Sequence, residues 1–305
     1  MSAWLDAFVP AFGLLALGAL LRRTLLREDA VWAGVEKLVF WVLLPSLLAG
    51  ALSAVDLRAL PIGGMATAIW LALLVGTGLS VLLARAFGTD HPAMTSVLQG
   101  GIRFNNLMGF AIAGAVFGAP GLALGAVATG LIVPAVQLIT TLAFALGGDR
   151  GPPRPAAVLR QVALNPLIIG CAAGFLLAAL GGLPAGIAPT VRALGQASVA
   201  LGLLTVGAAL GAKALRDRVT LQAATGVLKL FGMPAITWAL CAALGLEPLA
   251  TAMAVIFMAQ PTAATAYVTA RIMGGDAPLI AAITTTEHLA AIVTLPLWVL
   301  LIAPV

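Results

Sequence analysis

The sequence predicts an all-α polytopic membrane protein: ten transmembrane helices forming two inverted five-helix repeats, with helices 4 and 9 broken. Three observations carry this reading: the composition, the sorting of basic residues among apolar runs, and an internal repeat. Of 305 residues, 62% are hydrophobic and 9% charged, and the mean hydropathy is +1.11. Soluble domains carry about 25% charged residues, and a soluble fold of this length has no way to keep so much apolar surface from water. The net charge of +5 and pI near 10.0 do not point to nucleic acid. The 16 basic residues mostly flank apolar runs, and the chain has one Tyr and no basic-aromatic patch.

A transmembrane helix needs about 20 mostly apolar residues. Ten such runs cover about 5–21, 31–52, 61–84, 92–117, 121–146, 158–180, 190–210, 219–243, 247–272 and 277–303. They are continuous and rich in Leu, Ala and Gly, whereas barrel strands alternate in segments of about ten residues. The first run reads as a retained span and not a signal peptide: Asp6 stands where a basic segment would be, and Arg22 and Arg23 follow the apolar stretch. Arg22, Arg23, Arg27, Lys37, Arg85, Arg150, Arg154, Arg160, Lys213, Arg216, Arg218 and Arg271 all follow odd-numbered spans. Only Arg58 and Arg192 fall on the other side. The positive-inside rule then predicts cytoplasmic odd loops, both termini outside the cytoplasm, and an inner (plasma) membrane location.

A shift of 156 positions aligns Pro10 with Pro166, Gly18 with Gly174, Leu47 and Leu48 with Leu203 and Leu204, and Gly118 with Gly274. The same shift superposes all five spans of each half. The predicted organisation is repeat 1 over 1–146, a central cytoplasmic loop over 147–157, and repeat 2 over 158–305. An odd number of spans per half requires the second half to enter the membrane inverted, a recurring transporter architecture.

The stretch GGIRFNNLMG, from Gly100 to Gly109, places a charge and two amides inside span 4. Under the repeat shift, Asn105 falls on Pro261, so this stretch matches AQPTAATAY in span 9. Pro261 removes a backbone donor and crowds the preceding turn, and Gly100 and Gly101 are expected to weaken span 4 just before Arg103. Breaks at corresponding positions of two halves point to a midplane binding site. Arg103 is the twelfth residue of its span, near mid-depth, where a charge costs about 2.5–3.5 kcal/mol on insertion scales. An anionic substrate would offset that cost. Arg103 suits a carboxylate because its planar fork binds two oxygens at once, with Asn105 and Asn106, and Gln260 and Thr262 beside Pro261, as further site candidates. A fixed partner inside the protein is the structural alternative.

Lys229 in span 8 and Glu287 in span 10 lie at similar depth. A neutral Lys229–Glu287 pair is one reading. A proton or cation site is the other, since burial disfavours the charged form of each group. Thr284 shares a helical face with Glu287, and His288 points about 100° away, toward a different helix. Asn165 reads as a cap or bend before Pro166, and Gln137 as a bond to a neighbouring helix. No catalytic motif appears: HExxH, GxSxG and a Walker loop are all missing. His91 and His288 lack metal-ligand spacing, and Cys171 and Cys241 read as small buried hydrophobes. The chain is therefore expected to be neither an enzyme nor a metalloprotein.

With GGIRFNNLMGFAIAGAVFG in span 4, LNPLIIGCAAGF in span 6, and QPTAATAYVTARIMGGD with TLPLWVLL near the end, the chain resembles the auxin efflux carrier family, bacterial branch. That family belongs to the bile/arsenite/riboflavin transporter superfamily. The resemblance implies a fold similar to bile acid–sodium symporters. In such a fold spans 4 and 9 cross at their broken centres, spans 1, 2, 6 and 7 form a scaffold, and spans 3–5 and 8–10 form a transport domain. It carries the crossover role onto Asn105, Asn106, Gln260, Pro261 and Thr262, and implies organic anions as substrates: auxin in plants, malonate-like carboxylates in bacteria. Plant members have a proline in the span 4 crossover; this chain has Asn105-Asn106, so its break is expected to rest on Gly100, Gly101 and Gly109. Glu287-His288 stands where many relatives carry small hydroxyl residues, which favours proton coupling.

The expected function is secondary transport of a small organic anion by alternating access, with no cofactor and H⁺ as the coupling ion. The alternatives are a sodium-coupled symporter, with Na⁺ on span 4 and 9 oxygens, and a non-transporting sensor of the same fold. The expected partners are the anion and the lipid bilayer, with a homodimer as an option.

Overall fold

The computed structural model describes residues 2–55, 61–147, 156, 159–160, 163–211, 215–216 and 218–302, with side chains from Phe8 onward. Among the described residues there is no strand. The helices are α1 (Ser2–Arg23), α2 (Asp29–Ser53), α3 (Ile62–Ala86), α4 (His91–Ile102), α5 (Asn106–Ala145), α6 (Pro166–Ala179), α7 (Ala188–Ala209), α8 (Val219–Ala243), α9 (Pro248–Met258), α10 (Thr265–Met273) and α11 (Ala277–Ile302). Except for Gly147 and Ala156, the expected central loop lies outside the described residues, as do Asp56, Arg58, Lys213 and Asp217.

Six helical stretches are long and apolar enough to cross a membrane: α2, α3, His91–Ala145, α7, α8 and α11. Trp41, Trp70, Leu74, Leu82, Leu176 and Leu300 are exposed along their helices. Outward apolar side chains of this kind, on helices that satisfy their own backbone, are what a lipid solvent requires. The chain is a helical, multi-pass membrane protein.

Two helices contain widened turns, each just before a proline: Val39–Leu43 before Pro45 in α2, and Leu228–Gly232 before Pro234 in α8. A proline removes one donor and crowds the carbonyl four residues back, and a π turn accommodates both effects. In α8 Pro234 has no N–H for the Leu230 carbonyl, and the Trp298 indole donates to it instead at 2.7 Å. Lys229 sits inside this turn.

By contact the chain divides into two units. The first holds Met1–Ile62, Leu107–Val133 and Ala163–Ala209. Small residues set its helix approach, as expected where lipid supplies no hydrophobic drive between helices. A methyl group on Gly18 of α1 would overlap the Leu204 carbonyl of α7, and one on Gly207 would overlap the Leu15 carbonyl. On α6, Gly170 and Gly174 are one turn apart and face the α2 backbone at Pro45 and Ala49, 2.8 and 3.1 Å from an added methyl. α5 turns at Gly118, whose φ of 62° and ψ of −147° are open to glycine and strained for other residues. Gly114 then meets Leu122, and Gly121 meets Ala113, across that turn. Spans 4 and 5, expected as separate helices, are thus joined by one glycine and no loop.

The second unit holds Gly63–Asn106, Pro134–Val162 and Leu210–Val305. Asp276 ties three of its helices together. Its carboxylate accepts from Leu279 N at 3.0 Å and from Arg218 Nη2 at 2.6 Å, while its amide donates to Pro92 O at 3.0 Å and its carbonyl accepts from Ser96 Oγ at 2.9 Å. All of the substrate and coupling residues expected from sequence lie in this unit.

Candidate functional site

The second unit contains two interruptions between helices. α4 ends at Ile102, Arg103 is extended and Phe104 and Asn105 are non-helical, and the chain resumes its helix at Asn106. α9 ends at Met258, and α10 begins at Thr265 after the Pro261 segment. The two gaps are joined through their backbones: Asn105 N donates to Pro261 O at 2.8 Å, and Thr262 Oγ1 donates to Gly100 O at 2.9 Å. Each gap therefore supplies hydrogen-bond partners that the other helix end lacks.

The cause of the span 4 break differs from expectation. Gly100, Gly101 and Gly109 all lie within helices. Gly100 and Gly101 serve close packing: a methyl on Gly100 would lie 2.8 Å from Ile283 and Thr225, and one on Gly101 would overlap Ser80 Oγ. The break follows them because Asn105 finds its backbone acceptor on Pro261.

Charged groups on other helices hold the ends of the second gap. Lys229 is fully buried, and its Nζ donates to Met258 O at 3.1 Å, placing a cation on the C-terminal end of α9. That is the favourable sign for a helix C-terminus. Glu287, also fully buried, accepts from Thr262 N at 2.8 Å through Oε2. A direct Lys229–Glu287 ion pair, one of the two readings of these charges, is not formed: Lys229 bonds the end of α9 and Glu287 the backbone of the gap that follows it. His288 is engaged on the other gap. Its Nδ1 faces Thr284 O at 2.7 Å, where only an N–H can bond, which leaves Nε2 to accept from Asn105 Nδ2 at 3.1 Å.

Arg103 is partly buried. Its Nη1 donates to Gln99 Oε1 at 2.9 Å and to Thr269 Oγ1 at 3.0 Å, and its Nη2 reaches Thr265 Oγ1 at 3.5 Å. All three partners are neutral, and no described carboxylate pairs with the guanidinium. Sequence reading missed Gln99, Thr265 and Thr269. Helical spacing could have flagged them, since Gln99 is one turn before Arg103 and the two threonines are one turn apart.

Several buried polar atoms near the gaps have no partner: Asn106 Oδ1, Gln260 Oε1, Thr284 Oγ1, Glu287 Oε1 and Gln99 Nε2. Gln260 is fixed in orientation because its Nε2 donates to Ile256 O at 2.9 Å. Asn165 caps α6 by accepting from Leu167 N at 2.9 Å. Gln137 donates to Thr141 at 3.3 Å within its own helix, not to a neighbouring one.

Unmet buried oxygens and an uncompensated guanidinium, gathered on two broken helices, suit a site whose guest supplies the missing partners. No curated protein matches the chain. Residues 154–299 match the family model described as membrane transport protein, a stretch that includes Lys229, the second gap and the Glu287-His288 pair but not Arg103. That is the family of the auxin efflux carriers, and this second half of the chain matches it.

Proposed function

We propose that this protein, a bacterial-branch member of its family, moves a small organic anion across the inner membrane by alternating access, with proton coupling through Glu287. The observation that carries the anion reading is the neutral shell around Arg103. Lys229 and Glu287 offset each other in charge, which leaves Arg103 as the unmatched cation of the region. A partly buried charge with no opposite partner costs stability, and a carboxylate guest offsets that cost. The paired gaps fit ten spans in two inverted halves, with spans 4 and 9 crossing at the binding site. Asn105, Asn106, Gln260, Pro261 and Thr262 line that crossing, and both termini face away from the cytoplasm. In this reading spans 3–5 and 8–10 move against spans 1, 2, 6 and 7.

Uptake of labelled malonate and indole-3-acetate into sealed proteoliposomes tests the proposal. Arg103→Ala should abolish uptake of whichever anion the wild type carries, with the melting profile retained. Wild-type uptake by that variant would sink the role of Arg103, and a wild type that moves neither anion would sink the anion reading.

A sodium-coupled mechanism draws on a separate observation. Gln260 Oε1, Glu287 Oε1 and Thr284 Oγ1 are buried oxygens without donors, the ligand type that hard cations take. Uptake that requires sodium and ignores a pH gradient would select it over proton coupling.

A further inference from the structure

We infer that Gln99, Thr265 and Thr269 are positioning residues that occupy one end of the Arg103 fork, reserving its Nε side for one carboxylate group of the substrate. This deepens the anion reading above and rests on it. A guanidinium has five N–H donors in a rigid plane and no acceptor. Three are engaged here: two on Nη1, by Gln99 and Thr269, and one on Nη2, by Thr265. Thr265 and Thr269 are one turn apart on α10 and take neighbouring nitrogens, so they straddle the tip of the fork. Nε–H has no partner among the described residues. Together with the remaining Nη2 hydrogen it forms the side edge, whose two parallel donors match the two oxygens of a carboxylate.

The holding groups are themselves fixed. Thr269 Oγ1 donates to Thr265 O at 3.1 Å, so the hydroxyl turns a lone pair toward Arg103. Gln99 must face Arg103 with Oε1, because Arg103 can only donate. That choice leaves Gln99 Nε2 buried without an acceptor, a state that costs stability. The reversed amide would give Nε2 a different environment but lose the grip on Arg103. The structure retains the orphan donor and keeps the guanidinium in place. All three holders are neutral, so they orient the charge without cancelling it.

The test measures concentration-dependent uptake in proteoliposomes with malonate, indole-3-acetate and the neutral indole-3-acetamide. Thr269→Val should raise KM about tenfold for the transported anion with Vmax within about twofold, a change equivalent to one lost positioning bond to a charged group. Thr269→Ser should restore the wild-type KM. Gln99→Glu should abolish uptake by giving Arg103 an internal carboxylate, whereas Gln99→Leu should only raise KM. Wild-type KM in Thr269→Val and Gln99→Glu, with Arg103→Ala inactive, would overturn the positioning roles and leave the anion reading standing. A fall in Vmax alone, or no recovery with Thr269→Ser, would also overturn them. Failure of the wild type to take up either anion would remove the anion reading and this inference together.

Discussion

Glu287 and His288 are adjacent on α11 and hold different breaks. Glu287 Oε2 accepts from Thr262 N at 2.8 Å in the second gap, and His288 Nε2 accepts from Asn105 Nδ2 at 3.1 Å in the first. Successive residues on a helix point about 100° apart, so one dipeptide reaches both. α11 is thus a clamp on the region where the two interrupted helices touch. A change in the charge of either residue acts on the backbone that forms the site.

Glu287→Gln keeps an oxygen for the Thr262 amide and removes the charge. The gap should therefore persist while proton exchange at this position is lost. We expect uptake to continue at a reduced rate with a flat dependence on pH between about 5 and 8. Comparison of initial uptake rates across that range, wild type against variant, measures this, and an unchanged slope would rule out Glu287 as the proton carrier.

Lys229→Met removes the cation on the α9 C-terminus and leaves Glu287 without its opposing charge. Removal of one member of a buried charge pair destabilises by about 3–5 kcal/mol when the two are in contact. Here they act through the backbone between them, so we expect a smaller loss, about 2–3 kcal/mol, seen as a lowered melting temperature in detergent. The double variant Lys229→Met, Glu287→Gln should melt above Lys229→Met alone. Strict additivity in that cycle would show that the two charges do not sense each other.

Asn105→Ala and His288→Ala should each lower stability, and the double variant should lose little more than the worse single one. Both substitutions remove the same 3.1 Å hydrogen bond, and the first to be made forfeits it. The coupling should be about 1 kcal/mol, in the range of a neutral buried hydrogen bond. Independent losses would mean that the imidazole is held by Thr284 alone.

Much of this arrangement was legible in the sequence. Mid-span charge at Arg103, Lys229 and Glu287 announced itself, because such residues are rare in apolar helices. Pro261 marked the second gap through its missing donor. What the sequence did not disclose was long-range. Nothing local says that Asn105 finds its acceptor 156 positions away, nor that Gly100 and Gly101 are packing residues and not helix breakers. Lys229 and Glu287 looked like a pair by depth and sign, yet each bonds the intervening backbone, a choice made by tertiary placement. Gln99, Thr265 and Thr269 passed unnoticed because neutral polar residues in a membrane helix most often bond their own turn.

The two glycines of α1 separate backbone propensity from packing. Gly13 has nothing within 4 Å of an added methyl, whereas a methyl on Gly18 would overlap the Leu204 carbonyl of α7. Both residues are helical, so substitution by Ala gains the same intrinsic preference, about 0.5–1 kcal/mol, at each. At Gly13 that gain is unopposed, and Gly13→Ala should leave the melting temperature unchanged or slightly raised. At Gly18 the obstacle is backbone, which has no rotamer to move aside. α1 and α7 must separate, at a loss of about 1–3 kcal/mol or more. Gly207→Ala should behave like Gly18→Ala, since it meets the Leu15 carbonyl from the opposite helix. Because those two contacts share one interface, the double variant should cost less than the two single losses combined: once the helices part, the second methyl finds room. Thermal melts of the four variants in one detergent decide the matter, and equal effects at Gly13 and Gly18 would show that α1 and α7 are not in backbone contact.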